Sequence, residues 1–172
     1  MRHRKIRIPE DRQAVVELHC EINYACESSW IHEAPYPAYR RAWIESQQPE
    51  SFLKSLETSL EDPRTIAEVW FEGDLVSGYS WVTFTVVPNY DLVIAEIHDL
   101  AVHRDFRRRG LGDKIIAYLE QVCRSAGAHI LRSGTGAANP ASIAMHEKHG
   151  FGPYRVEYEK VLTLPSIEWP TV

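Results

Sequence analysis

The most informative stretch of this sequence reads LAVHRDFRRRGLG, from Leu100 to Gly112. It joins a strand-like segment, Leu92–Val102, to Leu111–Ala126, whose apolar residues recur at helical spacing. Glycines at such a junction let the backbone approach a ligand closely. The first amides of the helix lack an intrahelical partner, and the helix dipole adds positive potential. The junction therefore predicts an anion site of pyrophosphate size.

Two better-known phosphate loops do not match this stretch. No Gly-Lys-Ser/Thr follows, so it is not a P-loop, and the third glycine of the dinucleotide fingerprint is missing after Gly112. Residues 134–139, GTGAAN, also miss that fingerprint and are expected to form a strand-to-helix turn with Asn139 near the cap. Taken alone, Arg107–Arg109 could equally be a basic turn before a helix.

Composition favours one globular domain, predicted at residues 1–164 with a tail at 165–172. The chain has 172 residues, of which 44% are hydrophobic and 25% charged. A formal net charge of -5 argues against a dedicated nucleic-acid binder and mildly favours a cationic small partner. Three cysteines indicate a reducing compartment, and there is no secretory signal or membrane-length apolar run. We therefore expect a cytoplasmic protein with no membrane partner.

The periodicity along the chain predicts the order β-α-α-β-β-β-α-β-α-β, which is an α/β or α+β fold with a mixed sheet. The predicted strands are Lys5–Ile8, Thr65–Phe71, Leu75–Val87, Leu92–Val102, His129–Ser133 and Val156–Leu162. The first predicted helix begins at Pro9–Asp11. Four further helices are predicted, over Tyr39–Ser46, Ser51–Leu60, Leu111–Ala126 and Pro140–His149. Gly73-Asp74 predicts a hairpin turn.

Two motifs in register resemble the GNAT N-acetyltransferase superfamily. The acetyl-CoA signature of that family, Gln/Arg-x-x-Gly-x-Gly/Ala, is matched by Arg107, Gly110 and Gly112. A second family element is matched by Asn139, Glu147, Lys148, Gly150 and Phe151, while Ser142, Met145 and His146 stand where alanine, leucine and tyrosine are usual. The resemblance is strong over residues 94–162 and weak toward the N-terminus.

The resemblance implies a mostly antiparallel mixed sheet flanked by helices, with acetyl-CoA held where two central strands splay apart. Amides of residues 108–112 would hold the pyrophosphate, and the backbone of residues 100–102 would hold the pantetheine and polarise the thioester carbonyl. Asn139 would contact the pantetheine arm. The implied cofactor-binding residues are Leu100, Ala101, Val102, Arg107, Arg108, Arg109, Gly110, Leu111, Gly112, Asp113, Asn139 and Ser142.

Direct acetyl transfer needs a neutral amine, a stabilised carbonyl oxygen and a protonated or stabilised thiolate. By period two, Glu96, His98, Leu100 and Val102 are expected on one face of the strand and Asp99 on the other. Related enzymes carry glutamate or histidine at the positions of Glu96 and His98, so these two are the candidate bases. Alternatively, Glu96 pairs with an arginine and His98 bonds a backbone group.

His146 is the candidate acid for the thiolate, because it stands where the family usually has a tyrosine. It could instead only orient the sulfur, and Tyr154 is a possible substitute acid. His146 and His149 are one residue too close for a His-Glu-x-x-His zinc helix, so no metal is expected.

Aromatic residues and carboxylates near the N-terminus are expected to receive the acceptor, since together they suit an amine. Tyr24 and Trp30 are the candidate substrate-binding residues, with ordinary helix packing as the alternative. The region also contains Glu21, Glu27, Glu33, Tyr36, Tyr39 and Trp43.

The sequence thus predicts an acetyl-CoA-dependent N-acetyltransferase acting on a small primary amine. The acceptor could instead be a protein lysine or N-terminus. An acyl-CoA-binding regulatory module without turnover is a further alternative. Nucleic-acid binding has only one short basic run in its favour. The resemblance also makes a homodimer possible.

Overall fold

The strands form one five-stranded sheet in the computed structural model, which describes residues 2–164, 166–167 and 169–170. They are β1 (Arg2–Lys5), β2 (Ile66–Glu72), β3 (Leu75–Val87), β4 (Leu92–Val102) and β5 (Ile130–Ser133). The helices are α1 (Arg12–Cys26), α2 (Tyr36–Glu45), α3 (Gln48–Ser59), α4 (Leu111–Ser125) and α5 (Pro140–Lys148). No described helix is both long enough and apolar enough to span a bilayer.

The sheet order is β1-β2-β3-β4-β5, and only the β4–β5 pair is parallel. The predicted hairpin between β2 and β3 is confirmed, with Gly73 at a φ of +61°. Each face of the sheet buries its own apolar cluster. One cluster joins the sheet to α1, α2 and α3, and the other joins it to α4. The mixed, mostly antiparallel architecture is therefore confirmed.

A bulge interrupts the pairing of β3 with β4. Trp81 pairs with Asp99, whereas the next residue, Val82, pairs with Ile97, so His98 is an additional residue without a partner on β3. A bulge bends a strand and re-aims the side chains around it.

The bulge changes which residues of β4 share a face. Ile97, Leu100 and Val102 all pack in the cluster on the α4 side, whereas Ala101 packs in the cluster on the α1 side. Strict alternation cannot put residues 97 and 100 on one face. The prediction that Glu96 shares a face with Leu100 and Val102 is therefore wrong, because the additional residue at the bulge inverts the alternation.

Three other predictions need correction. The predicted order has two helices before β2, whereas three helices, α1, α2 and α3, precede it. The first strand, β1, lies earlier than the predicted Lys5–Ile8. Val156–Leu162, predicted as the last strand, has no strand pairing within the described residues. Of the three cysteines, Cys20 and Cys123 are buried and Cys26 is exposed.

The predicted tail is described only in part, because Pro165, Glu168, Thr171 and Val172 lie outside the described residues. Trp169 packs against the cluster on the α1 side. The division of the chain at residue 164 stays a prediction.

The buried thiols predict a loss of stability in alkali. Burial raises the pKa of Cys20 and of Cys123 to about 11. Burial and the neighbouring Glu68 raise the pKa of Tyr118 to about 12. Each folded pKa lies above its unfolded value, so the stabilising contribution is complete below about pH 9 and is lost as the pH rises through 11. We expect the free energy of unfolding to fall by about 2 kcal/mol or more between pH 9 and 11. Urea denaturation of the wild type and Cys123→Ala would check this, because the variant should lose stability less steeply; equal slopes would contradict it.

Candidate active site

The parallel pair β4–β5 separates in the middle of β4. The ladder ends where Ile97 pairs with Ser133, yet β4 continues to Val102. Residues 99–102 therefore pair on one edge only, with β3. Their backbone groups on the β5 side form an open notch, which is the place where the sequence resemblance puts the pantetheine arm.

The loop after β4 has the backbone shape of an anion site. Gly110 precedes α4 with a φ of +73°, and Arg108 has a φ of +63°. No side chain caps the start of α4. A Cβ at Gly110 would have nothing within 4 Å, so the space beside the loop is open. At Gly112 a Cβ would lie 3.3 Å from the Met145 sulfur, which shows that α5 packs tightly on the first turn of α4.

The three arginines of the loop differ in what they contact. Arg107 donates from Nε to the Val102 carbonyl at 2.8 Å and pairs with Glu21 at 3.1 Å, so it braces the loop. Arg109 lies 3.6 Å from Glu72. Arg108 is exposed and has no ion pair within the described part of the chain. Of the three, Arg108 is the guanidinium left available to an anionic ligand.

Glu96 and His98 are both exposed on β4, with different surroundings. His98 Nε2 lies 2.7 Å from the Thr83 hydroxyl, and its ring lies 4.5 Å from that of Trp81. Glu96 has Arg132 as its register partner on β5, but no ion pair joins them among the described residues. The carboxylate of Glu96 is therefore the less engaged of the two candidate bases.

Asp99, one residue beyond the bulge, holds a buried polar network to α1. The hydroxyl of Tyr79 donates to Asp99 Oδ2, and His19 Nδ1 lies 2.9 Å from the same oxygen. The His19 ring stacks on Phe52 at 3.7 Å. Burial and the charge of Asp99 hold the pKa of Tyr79 well above its usual value, so this hydroxyl stays a donor. The network ties α1 to the strand that carries Glu96 and His98.

Asp99→Ala is expected to destabilise the fold by about 3 kcal/mol, because it leaves the Tyr79 and His19 donors buried without their acceptor. Asp99→Asn should cost less, since the amide oxygen still accepts a hydrogen bond. Urea unfolding at neutral pH measures both, with Asp74→Ala as the control at a fully exposed aspartate. A loss below about 1 kcal/mol for Asp99→Ala would contradict the assigned role of the network.

On helix α5, one ring nitrogen of His146 is hydrogen-bonded and the other has no partner among the described residues. Its Nδ1 lies 2.7 Å from the Ser142 carbonyl, which can only accept, so Nδ1 carries a proton. Nε2 is buried and has no hydrogen-bond partner among the described residues. Asn139 caps α5, as predicted, by accepting from the Ser142 amide at 3.2 Å. Asp113 joins α4 to α5 through Lys148 at 2.8 Å and His149 at 2.9 Å.

The residues present fit an acyl-CoA donor. The one-sided edge of β4 offers backbone groups to the pantetheine amides, and the α4 N-terminus offers amides and Arg108 to the phosphates. Two buried polar atoms, Thr135 Oγ1 after β5 and His146 Nε2 on α5, have no partner in the described chain. Such orphaned atoms are rare unless a ligand or water completes them.

The predicted acceptor residues mainly pack the protein. The Tyr24 hydroxyl donates to the Ala34 carbonyl at 2.8 Å, and its ring lies 5.0 Å from that of Tyr39. Trp30 packs against the cluster on the α1 side. Neither lines the two cavities found beside α2. Tyr154 is largely exposed and lies under the Arg132 guanidinium at 4.6 Å.

Sequence reasoning missed two contributions to the site. It did not single out His19, although a histidine among the apolar positions of a helix signals a buried polar partner. It assigned Glu21 to the acceptor side, whereas Glu21 pairs with Arg107 and braces the glycine loop.

Solved structures share this fold. A transcriptional regulator from Bacillus halodurans superposes with a TM-score of 0.68 at 18% identity, over 94% of this chain and 99% of that one. Glucosamine-6-phosphate N-acetyltransferase from Arabidopsis thaliana gives 0.60 at 16% identity, over 94% and 98%. At such identities the likeness establishes the fold alone, and that fold is one found among acetyltransferases.

The sequence extends this conclusion from fold to family. Residues 27–151 match the profile of the Acetyltransferase (GNAT) family, which is more than half of the chain. The chain belongs to the GNAT acetyltransferase family and is an N-acetyltransferase, as the two motifs predicted.

Two curated relatives are bacterial. L-amino acid N-acyltransferase MnaT of Escherichia coli is 25% identical over 142 residues, which cover 82% of this chain and 74% of the relative. L-methionine sulfoximine/L-methionine sulfone acetyltransferase of Salmonella typhimurium is 25% identical over 145 residues, with the same coverage.

Proposed function

We propose that this N-acetyltransferase uses acetyl-CoA and transfers the acetyl group directly to a primary amine of a small molecule. The observation that carries the proposal is the one-sided edge of β4, which lies between the glycine loop and the exposed Glu96. The two bacterial relatives, whose names specify amino acids or their analogues, support a small-molecule acceptor.

Acetyl-CoA would supply an activated acyl carbon on a thiol leaving group. The backbone of Leu100–Val102 would orient the donor and polarise its carbonyl, and Arg108 with the α4 amides would hold its phosphates. Glu96, directly or through water, accepts the proton that the attacking amine loses as the nitrogen–carbon bond forms and the carbon–sulfur bond breaks. His98, bonded to Thr83, is the alternative base.

The proton on His146 Nδ1 is committed to the Ser142 carbonyl. His146 can therefore donate toward the departing sulfur from Nε2 only when the ring is doubly protonated. In its neutral form the same Nε2 is an acceptor and would orient the free thiol. With this tautomer, His146 can act as an acid only in its imidazolium form, whereas it can orient the thiol in its neutral form as well.

The proposal is tested by following loss of the thioester of acetyl-CoA with a panel of primary amines and a lysine peptide. Thioester absorbance is preferable to a thiol reagent, because the exposed Cys26 would react with the reagent as well. Turnover of small amines supports the proposal. Turnover of the peptide alone would make the protein-modifying alternative correct. Thermal stabilisation by acetyl-CoA without any turnover would favour the regulatory module.

We also propose that the protein is a homodimer that pairs through its C-terminal segment, residues 153–164. This segment has no helix or strand pairing within the described chain, and its apolar side chains face solvent, with Tyr158 93% and Leu162 84% exposed. The outer edge of β5 has no strand on it among the described residues. An unpaired apolar segment and an unpaired sheet edge on one chain are complementary, so a second copy can satisfy both.

Light scattering after gel filtration is expected to give twice the chain mass for the wild type. Tyr158→Glu combined with Leu162→Glu should give the monomer, because two buried charges would oppose the pairing. Leu75→Glu, on the exposed β2–β3 hairpin, is the control and should stay dimeric. A monomeric wild type would contradict the proposal.

The cytoplasmic location stays a prediction, supported by the sparse cysteines.

A further inference from the structure

A cavity of about 250 Å³ lies between α1 and α2, and Trp169 from the tail contributes to its lining. Its lining combines aromatic rings with polar groups and, among the described residues, a single charge. It is lined by Asn23, Glu27, Tyr39, Ala42, Trp43, Ser46, Gln48 and Trp169. The volume suits a small organic molecule rather than a peptide.

The charge in this lining is negative. The hydroxyl of Tyr39 donates to Glu27 Oε1 at 3.2 Å. Burial and the charge of Glu27 hold the pKa of Tyr39 well above its usual value, so the hydroxyl remains a neutral donor. Glu27 has no ion pair among the described residues, and a carboxylate has acceptor sites beyond one hydrogen bond. The cavity therefore offers a carboxylate to a cation.

The aromatic walls suit the same kind of ligand. Tyr39 and Trp169 lie 6.4 Å apart, and Trp43 completes the wall from α2. Organic ammonium groups bind well among such rings because the ring faces are electron-rich. The indole nitrogen of Trp43 is buried and has no hydrogen-bond partner in the described chain, so the polar groups of this wall are incompletely satisfied.

The ring of His19 lies between the cavity wall and β4, the strand that carries the candidate bases. Trp43 lies 5.8 Å from the ring of His19, and His19 Nδ1 lies 2.9 Å from Asp99 on β4. These contacts join packed side chains, and the closer approach to the site is beside Glu27, because a Cβ at Gly136, in the loop after β5, would lie 2.6 Å from the backbone of the adjacent Cys26.

Cationic side chains are absent from the described lining and occur instead on the other flank of α2. A second cavity there is lined by Arg40, Arg41 and Arg104, together with Tyr36 and Glu45. Arg40 is bonded to Glu17 through its Nε at 2.7 Å, and Arg104 lies 3.7 Å from Glu21. Thus the residues described around the α1–α2 cavity include no guanidinium or ammonium group with which to bind a carboxylate.

We infer that the acceptor is an organic amine that carries a second cationic group and no carboxylate, and that Glu27 determines this specificity by binding that second group. The inference rests on the proposed function, because it names the substrate class of that site. It separates this protein from the two bacterial relatives, whose names specify amino acids and amino-acid analogues. A carboxylate-bearing ligand would meet the charge of Glu27 without a cation in the described lining to offset it.

Calorimetric titration of the CoA-loaded protein with matched pairs tests the inference. The pairs are cadaverine against lysine and agmatine against arginine, which differ only in the carboxylate. We expect each amine to bind at least about tenfold more tightly than its amino acid. Glu27→Gln should abolish the preference by weakening the amines, whereas Glu33→Gln, at a glutamate outside the lining, should leave it unchanged.

Trp169→Ala provides a second variant, because Trp169 lies in the tail and its loss should weaken amine binding without disturbing the α1–α2 pair. Equal or tighter binding of the amino acids would overturn the inference, as would unchanged binding in Glu27→Gln. Binding is measured without turnover, so the two proposals fail separately. Acetylation of amino acids alone would overturn only the inference, and amine binding without any acetylation would overturn only the transferase proposal.

Discussion

Gly110→Val is expected to lower acetyl-CoA affinity about 100-fold, which corresponds to about 3 kcal/mol. Gly110 has a φ of +73°, where a β-branched residue is strained, so the substitution shifts the amides at the start of α4. The valine side chain would also project into the open space beside the loop, because no protein atom lies within 4 Å of its Cβ. Both effects act on the site where the phosphates are proposed to bind. Calorimetric titration with CoA measures the loss.

Gly127→Val is the matched control. Gly127 follows the other end of α4, has a φ of +84°, and also has nothing within 4 Å of the position that a Cβ would occupy. The two variants therefore carry similar backbone strain, but only Gly110 lies at the loop. Both should lose similar stability in urea, while Gly127→Val keeps its affinity for CoA. Unchanged affinity in Gly110→Val, or equal losses in both variants, would remove the loop from the binding site.

The local part of the architecture was predictable from the sequence. β3 and β4 have the bounds that alternation and turn residues predicted, and α4 and α5 begin at the predicted residues. These boundaries depend on signals within a few residues, namely Pro88, Gly110 and Asn139. The glycine loop was predictable for the same reason.

The bulge at His98 was not predictable, because it depends on how β4 registers against β3 and no residue of β4 signals it alone. Its consequence is large, since it separates the face of Glu96 from that of Leu100.

Val156–Leu162 shows the opposite case. It has the alternation of a strand, but a strand also needs an edge to pair with, and that depends on the rest of the assembly.

Contacts distant in sequence account for the remaining differences at the candidate site. His19 and Asp99 are 80 residues apart, and their 2.9 Å contact follows only from the packing of α1 on the sheet. Likewise, Arg107 matches the family signature, but its partners Glu21 and Val102 show that it braces the loop. A motif identifies which residues matter, whereas only the fold shows which atom each one contacts.

Glu96→Gln is expected to lower kcat about 100-fold near neutral pH, within the range that a general base contributes. Glutamine keeps the size and position of the side chain on β4 but cannot accept the proton of the amine. The loss should be greatest at low pH, where the acceptor is almost fully protonated, and should shrink as the pH approaches the pKa of the free amine, because more acceptor is then already neutral. A pH–rate profile of the variant against the wild type measures this.

His98→Gln is the companion variant, since His98 is the other candidate base and lies two residues away. Its hydrogen bond to Thr83 can be kept by the glutamine amide, so a small, pH-independent loss is expected if His98 only shapes the bulge. If His98 were the base, the two variants would exchange roles, and the pH-dependent loss would belong to His98→Gln. An unaltered profile in Glu96→Gln would reject the carboxylate as the base. The CoA affinity of both variants should equal that of the wild type, because neither side chain lies at the glycine loop.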